Sequence, residues 1–183
     1  MTVVTTLPYG RPLTRADLDL LPSDDGRRYE LIDGVLLVSP GPVLTHQDIV
    51  GNLHLLLRAA CTAELKVVLA PFDTVLADDT VLQPDLIVAA REQFTRTELP
   101  GAPLLAIEVL SPSTRRFDQV LKRDRLQSAG VGAFWLADPE EPSVTVLELQ
   151  DGVLVEIGRA AGDEVLEVVR PFPMRIVPSE LLD

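Results

Sequence analysis

Residues 104–110 read Leu-Leu-Ala-Ile-Glu-Val-Leu, apolar at every position but Glu108. A run like this fits a strand covered on both faces. A chain that contains one has to build layers of helix or sheet on either side of it. Glu108 is the exception inside that run. A carboxylate there is costly to desolvate unless it is paired, bound to a metal, or placed at a strand end where it reaches solvent or an arginine. A second apolar run, residues 81–88, carries Asp85 directly after Pro84. Asp after Pro also marks strand entrances and turns, so Asp85 has a structural explanation of its own.

The remaining text supplies the covering layers. Residues 13–21 predict a short helix with Thr14 as N-cap, broken by residues 22–26. Residues 28–32 and 35–38 predict paired strands around Asp33-Gly34, and residues 39–42 end the hairpin. Ile49, Leu53, Leu56 and Ala60 recur at near-helical spacing, predicting an amphipathic helix over residues 45–62. Strand candidates follow at 67–70, 73–76 and 81–88. Ser111-Pro112-Ser113-Thr114 caps a second helix over residues 115–129, closed by Gly130. Residues 134–137 resume the sheet, and residues 144–149, 153–157 and 165–169 read as further strands. The expectation is one α/β domain over residues 1–183, with a central mixed sheet flanked by helices. Its core spans about 12–150, with an N-terminal hairpin and a C-terminal hairpin extension at about 144–183.

Composition narrows the setting. The chain has 183 residues, enough for a continuous core, and 46% hydrophobic against 24% charged residues, which excludes disorder. No apolar run approaches the roughly 20 residues needed to span a bilayer. The first ten residues lack a basic stretch followed by an apolar one, so no signal peptide is expected. A lone Cys61 excludes an internal disulfide and a cysteine zinc cluster. These features predict a cytoplasmic protein. The net charge of −12 weighs against binding a polyanion, because nucleic-acid affinity comes largely from Lys and Arg neutralising phosphates.

Asp85 and Glu108 gain meaning together. Two carboxylates on neighbouring strands can share Mg²⁺ (or Mn²⁺), a hard ion that takes one or two carboxylates and keeps several waters. Such an ion supports phosphoester hydrolysis. Lys122 is one of only two lysines beside 14 arginines. It shares a helical stripe with Leu126 and Ala129, and is either a point charge turned toward Glu108 or a solvated side chain. Residues 115–125 carry a local excess of three positive charges, a candidate phosphate-contacting face or a solvated one. Tyr29, Phe134 and Trp135 are expected in the core.

Pro84-Asp85 followed by Ile107-Glu108-Val109 resembles the PD-(D/E)xK nuclease signature. Tyr29-Glu30-Leu31-Ile32-Asp33-Gly34, His46-Gln47, Glu108-Val109-Leu110-Ser111-Pro112-Ser113-Thr114 and Phe134-Trp135-Leu136-Ala137-Asp138-Pro139 narrow the likeness. In that order, over about residues 12–150, they resemble the Uma-two family of restriction-endonuclease-like proteins. The resemblance implies a restriction-endonuclease-like fold and metal-dependent phosphodiester hydrolysis; DNA rather than RNA is the expected substrate and a homodimer the expected form, the hairpins past Val144 either building its interface or covering an edge strand. It implies Asp85 and Glu108 as metal ligands. Lys122 takes the place of the superfamily lysine, whose usual position, two residues after the second acid, holds Leu110. Glu30 falls in the first family motif, either near the metal's water shell or as a polar residue of the hairpin. His46 is a proton relay or a structural hydrogen-bonding group. Leu126 and Phe134 stand where the family usually has tyrosines. A catalytically silent nuclease-fold module, dimerising or sensing nucleic acid, is the alternative, and a hydrolase of smaller phosphoesters is a third.

Overall fold

The computed structural model describes residues 7–22, 25–112 and 114–182. Ser113 of the expected helix cap, Ser23 and Asp24 of the first break, and residues 1–6 lie outside them. The chain runs α1 (Arg15–Leu18), β1 (Arg27–Ile32), β2 (Val35–Pro40), α2 (Leu44–Ala60), β3 (Leu65–Leu69), β4 (Asp73–Ala77), β5 (Thr80–Leu82), β6 (Leu86–Ala90), β7 (Glu98–Pro100) and β8 (Leu105–Val109). A π-helical turn (Phe117–Lys122) leads into α3 (Arg123–Ala129). Then come β9 (Ala133–Asp138), β10 (Ser143–Gln150), β11 (Val153–Ala161), β12 (Leu166–Val168) and β13 (Met174–Ile176). No helix among the described residues is long and apolar enough to cross a membrane.

The strands form a six-stranded sheet in the order β11-β10-β9-β8-β6-β3, a five-stranded sheet β2-β1-β5-β4-β7, and the β12-β13 hairpin. In the larger sheet β8 and β9 run parallel, while β6 and β8 are antiparallel. All five residues of β8 are buried, as a doubly covered strand requires. Its alternation decides what each residue meets. Leu105, Ile107 and Val109 join one apolar cluster with Ile49, Leu53 and Leu57 of α2, Trp135, and Phe172, Ile176 and Leu181 from the C-terminal segment. Ala106 faces the other way, into a cluster with Leu126 of α3, Phe134, and Ile32 and Leu82 of the smaller sheet. Glu108 shares the parity of Ala106, so it points between the two sheets.

Four expectations change. The predicted strand over 81–88 is two strands in different sheets, because Pro84 offers no N–H to continue a ladder. Asp85 therefore sits at the crossover, at the entrance to β6. In α2 the inward position after Leu53 is Leu57, fully buried, whereas Leu56 is 37% exposed. The 115–129 helix begins as a π-turn, and its stripe ends in an exposed Ala129. Trp135 and Phe134 are core, but Tyr29 is only half-buried and donates its hydroxyl to Asp25 at 2.5 Å.

The β1–β2 turn forms as expected. Asp33 (φ 52°) and Gly34 (φ 73°) both take the left-handed conformation that matches strand twist in a two-residue hairpin. The N-terminal segment packs on this turn, with Leu13 N–H bonded to Gly34 O at 2.9 Å. A Cβ on Gly34 would fall 2.4 Å from Pro12 Cβ.

Candidate functional site

The seam between the two sheets holds a cavity of about 230 Å³, lined by Arg28, Glu30, His46, Asp85, Glu108, Asp118 and Lys122 among others. β1 contributes Arg28 and Glu30, two residues apart on one face of the strand. The crossover contributes Asp85, β8 contributes Glu108, and α2 contributes His46 from its first turn. The π-turn contributes Asp118 and Lys122. A π-turn is a wider-wound exception to the α-helix that recurs at functional sites, and here both its inward residues are charged.

At the centre, the Lys122 ammonium is 2% exposed and meets three carboxylates. Glu30 Oε2 lies at 2.9 Å, Glu108 Oε1 at 3.0 Å and Asp118 Oδ1 at 3.2 Å. Burial opposes its charge, but Glu108, Glu30 and Asp118 outweigh that and hold its pKa well above the ordinary lysine value. Glu30 Oε1 also accepts the Gln83 N–H at 2.7 Å, the amide left free where the smaller sheet ends. Asp118 Oδ2 accepts the Thr114 hydroxyl at 2.7 Å.

Asp85 anchors a second set. Its Oδ1 accepts Arg28 Nη1 at 2.8 Å, and its Oδ2 accepts the Val109 N–H at 2.8 Å and lies 3.1 Å from His46 Nε2. Burial works against ionisation, yet His46, Arg28 and the Val109 amide outweigh it and lower the Asp85 pKa to about 2. Arg28 stays charged despite burial because Asp85 faces it.

Charge in the cavity does not balance. Glu30, Asp85, Glu108 and Asp118 face the permanent cations Lys122 and Arg28. The excess falls on Glu108, whose pKa burial raises well above its ordinary 4.5; Lys122 opposes, and Asp118, Asp85 and Glu30 add repulsion. Burial raises Asp118 as well, against Lys122 and Thr114. An oxygen-only donor set with surplus negative charge suits a hard divalent cation. Among the described residues no three His, Cys, Asp or Glu groups converge as a closed cage. Mg²⁺ does not require one, since it binds through one or two carboxylates and retains water.

The structure brings all four expected residues, Asp85, Glu108, Lys122 and Glu30, to one cavity, together with His46. Sequence reasoning passed over Arg28, Thr114 and Asp118. The signals were present: Arg28 and Glu30 alternate on one strand face, and Thr114, Asp118 and Lys122 recur every four residues. The basic run meets acids and a carbonyl of the chain itself. Arg115 bonds Asp138 and Glu140, Arg125 meets Asp33 and Asp124, and Arg123 donates to Leu154 O, so much of its charge is neutralised internally.

The family model of Uma2, described as putative restriction endonuclease, matches residues 15–179. The chain belongs to the Uma2 family. The Uma2 match reaches past residue 150 and takes in β11, β12 and β13. Among solved structures, this Uma2 chain is similar to the crystal structure of a putative nuclease belonging to DUF820 from Anabaena variabilis ATCC 29413. The TM-score is 0.71 at 20% identity, covering 93% of this chain and 98% of that one. At that identity the likeness shows the fold, an α/β fold of the restriction-endonuclease-like kind. No curated protein matches the chain.

Proposed function

We propose that the protein is a Mg²⁺- or Mn²⁺-dependent endonuclease that hydrolyses phosphodiester bonds of DNA. One observation carries this reading: a carboxylate in the middle of a fully buried strand, Glu108, meets a buried lysine in a cavity that also holds Asp85 and Glu30. Asp85 and Glu108 would hold the metal, which when bound supplies Lewis acidity to the phosphoryl group. Arg28, His46 and the Val109 amide keep Asp85 ionised and fixed in orientation. Lys122 steadies the attacking water or the developing negative charge, and Glu30 holds Lys122 in place from the opposite sheet. Residues 1–183 act as one domain, and the C-terminal strands complete the apolar cluster beneath β8. The exposed Val153, Val155 and Ile157 of edge strand β11 offer a homodimer its surface, and the single cysteine suits a reducing cytoplasm.

The net charge of −12 favours a second reading, a catalytically silent module of the same fold. Incubation with single- and double-stranded DNA and RNA, with Mg²⁺ or Mn²⁺, separates the two. Cleavage by the parent protein that disappears in Glu108→Ala and Lys122→Ala supports the nuclease. Undiminished cleavage in both variants rejects the site, and no cleavage of any substrate favours the module.

A further inference from the structure

Arg28 enters the mechanism above only as a partner of Asp85, yet much of its guanidinium is uncommitted. Nη1 donates to Asp85 Oδ1 at 2.8 Å and to Gln83 O at 3.2 Å. Among the described residues Nε and Nη2 have no partner, and neither is sealed from solvent. The side chain keeps 21% of its surface, against 2% for Lys122. Lys122 is enclosed by three carboxylates, those of Glu30, Glu108 and Asp118. His46 is turned inward too, with Nε2 beside Asp85 and Nδ1 buried. Among the described residues lining the cavity, Arg28 is therefore the permanent cation with unpartnered donors at the surface. It also borders a second space. Arg28, His46 and Asp85 line a neighbouring cavity of about 270 Å³, whose apolar wall includes Pro42, Val50 and Leu69.

We infer that Arg28 grips the phosphodiester, donating from Nε and Nη2 to its non-bridging oxygens. This inference rests on the nuclease reading and adds a catalytic residue to it. Four carboxylates outnumber two permanent cations around the cavity, so an entering phosphate needs a cationic donor beside any bound metal. A guanidinium suits that place, because its charge is permanent and one planar edge pairs with two oxygens at once. Asp85 and Gln83 hold Nη1, so the remaining edge keeps a fixed direction. A diester carries a chain on each side of phosphorus, and the two cavities that meet at Arg28 give both room.

Arg28→Lys tests this, because it keeps a cation for Asp85 and removes the Nε–Nη2 edge. Single-turnover cleavage of DNA falls about 10²- to 10³-fold, as for loss of one oxyanion donor. Mn²⁺ affinity, measured by calorimetry, changes by less than about tenfold, since only an outer partner of Asp85 is altered. Crystals of the parent soaked with inorganic phosphate and Mn²⁺ give a readout free of turnover. A phosphate oxygen is expected within about 3.2 Å of Nε or Nη2, and the contact is lost in Arg28→Lys. Phosphate that is absent, or held by Mn²⁺ alone and clear of Arg28, overturns the inference. So does parent-like cleavage by Arg28→Lys. Rate and Mn²⁺ affinity lost in step also overturn it, by reducing Arg28 to a support for Asp85. The parent crystals decide the case if Arg28→Lys does not fold. A parent that cleaves nothing ends the nuclease reading, while the phosphate contact still decides whether Arg28 seats an anion.

Discussion

Glu108 and Asp85 were conspicuous in the sequence for the same reason, an acid among apolar residues, yet the fold treats them oppositely. Asp85 is held ionised and Glu108 is pushed toward its neutral form, and stability should follow both. For Asp85, with a folded pKa of about 2 against an ordinary 3.8, the stabilisation is present above pH 3.8 and is lost as pH falls toward 2. It amounts to about 2 kcal/mol. Urea titrations across that window should show Asp85→Asn less stable throughout but with a flatter acid limb; parallel limbs would exclude the assignment. Glu108 binds its proton more tightly when folded, so stability falls as pH rises from 4.5 toward its raised pKa. Glu108→Gln leaves Lys122 with two acids and removes a strained charge. It should stabilise the fold at pH 7 by roughly 1–3 kcal/mol, seen as a higher melting temperature, while abolishing Mn²⁺ binding. A lower melting temperature would mean that Glu108 is a net stabilising partner of Lys122.

Among the elements, the β1–β2 hairpin was the most legible from sequence and the Lys122 helix the least. Asp33-Gly34 between apolar runs dictates its turn through backbone stereochemistry alone, so a local reading suffices. Gly34→Ala adds left-handed strain and a collision with Pro12, and should cost about 1–3 kcal/mol in chemical denaturation. Gly26→Ala, at φ 75° in open space, carries the strain without the collision and should cost less. Equal losses would remove Pro12 from the account. The π-winding of Phe117–Lys122 has no comparable local code. It is favoured by contacts with Glu30 and Glu108, which are distant in sequence, and so periodicity alone predicted an ordinary α-helix. The split of residues 81–88 was announced by Pro84, but which sheet each half joins depends on partners elsewhere.

Across the whole molecule, composition predicted a globular chain, the alternation of helix and strand patterns an α/β fold, and the family resemblance placed Asp85, Glu108 and Lys122 together. What these left open was the second sheet and the C-terminal cover, because pairing of distant strands leaves no periodic trace in either one. That cover matters to the core. Leu166, Val168, Phe172, Ile176 and Leu181 pack in the same cluster as Ile49, Leu53 and Leu57 of α2. A chain ended after Ala161 should expose that cluster, and aggregate or lose its sharp calorimetric transition. A soluble monomer with the parent melting temperature would show that the C-terminal segment is dispensable. The seam itself has a practical consequence for spectroscopy. Two backbone amides from different parts of the chain, Gln83 and Val109, each end on a different acid of the cavity, Glu30 and Asp85. Their nitrogen and proton resonances form a built-in pair of reporters, one for each half of the charge network. A titration followed at those two signals would tell which half an arriving ion engages first, with no label placed in the cavity.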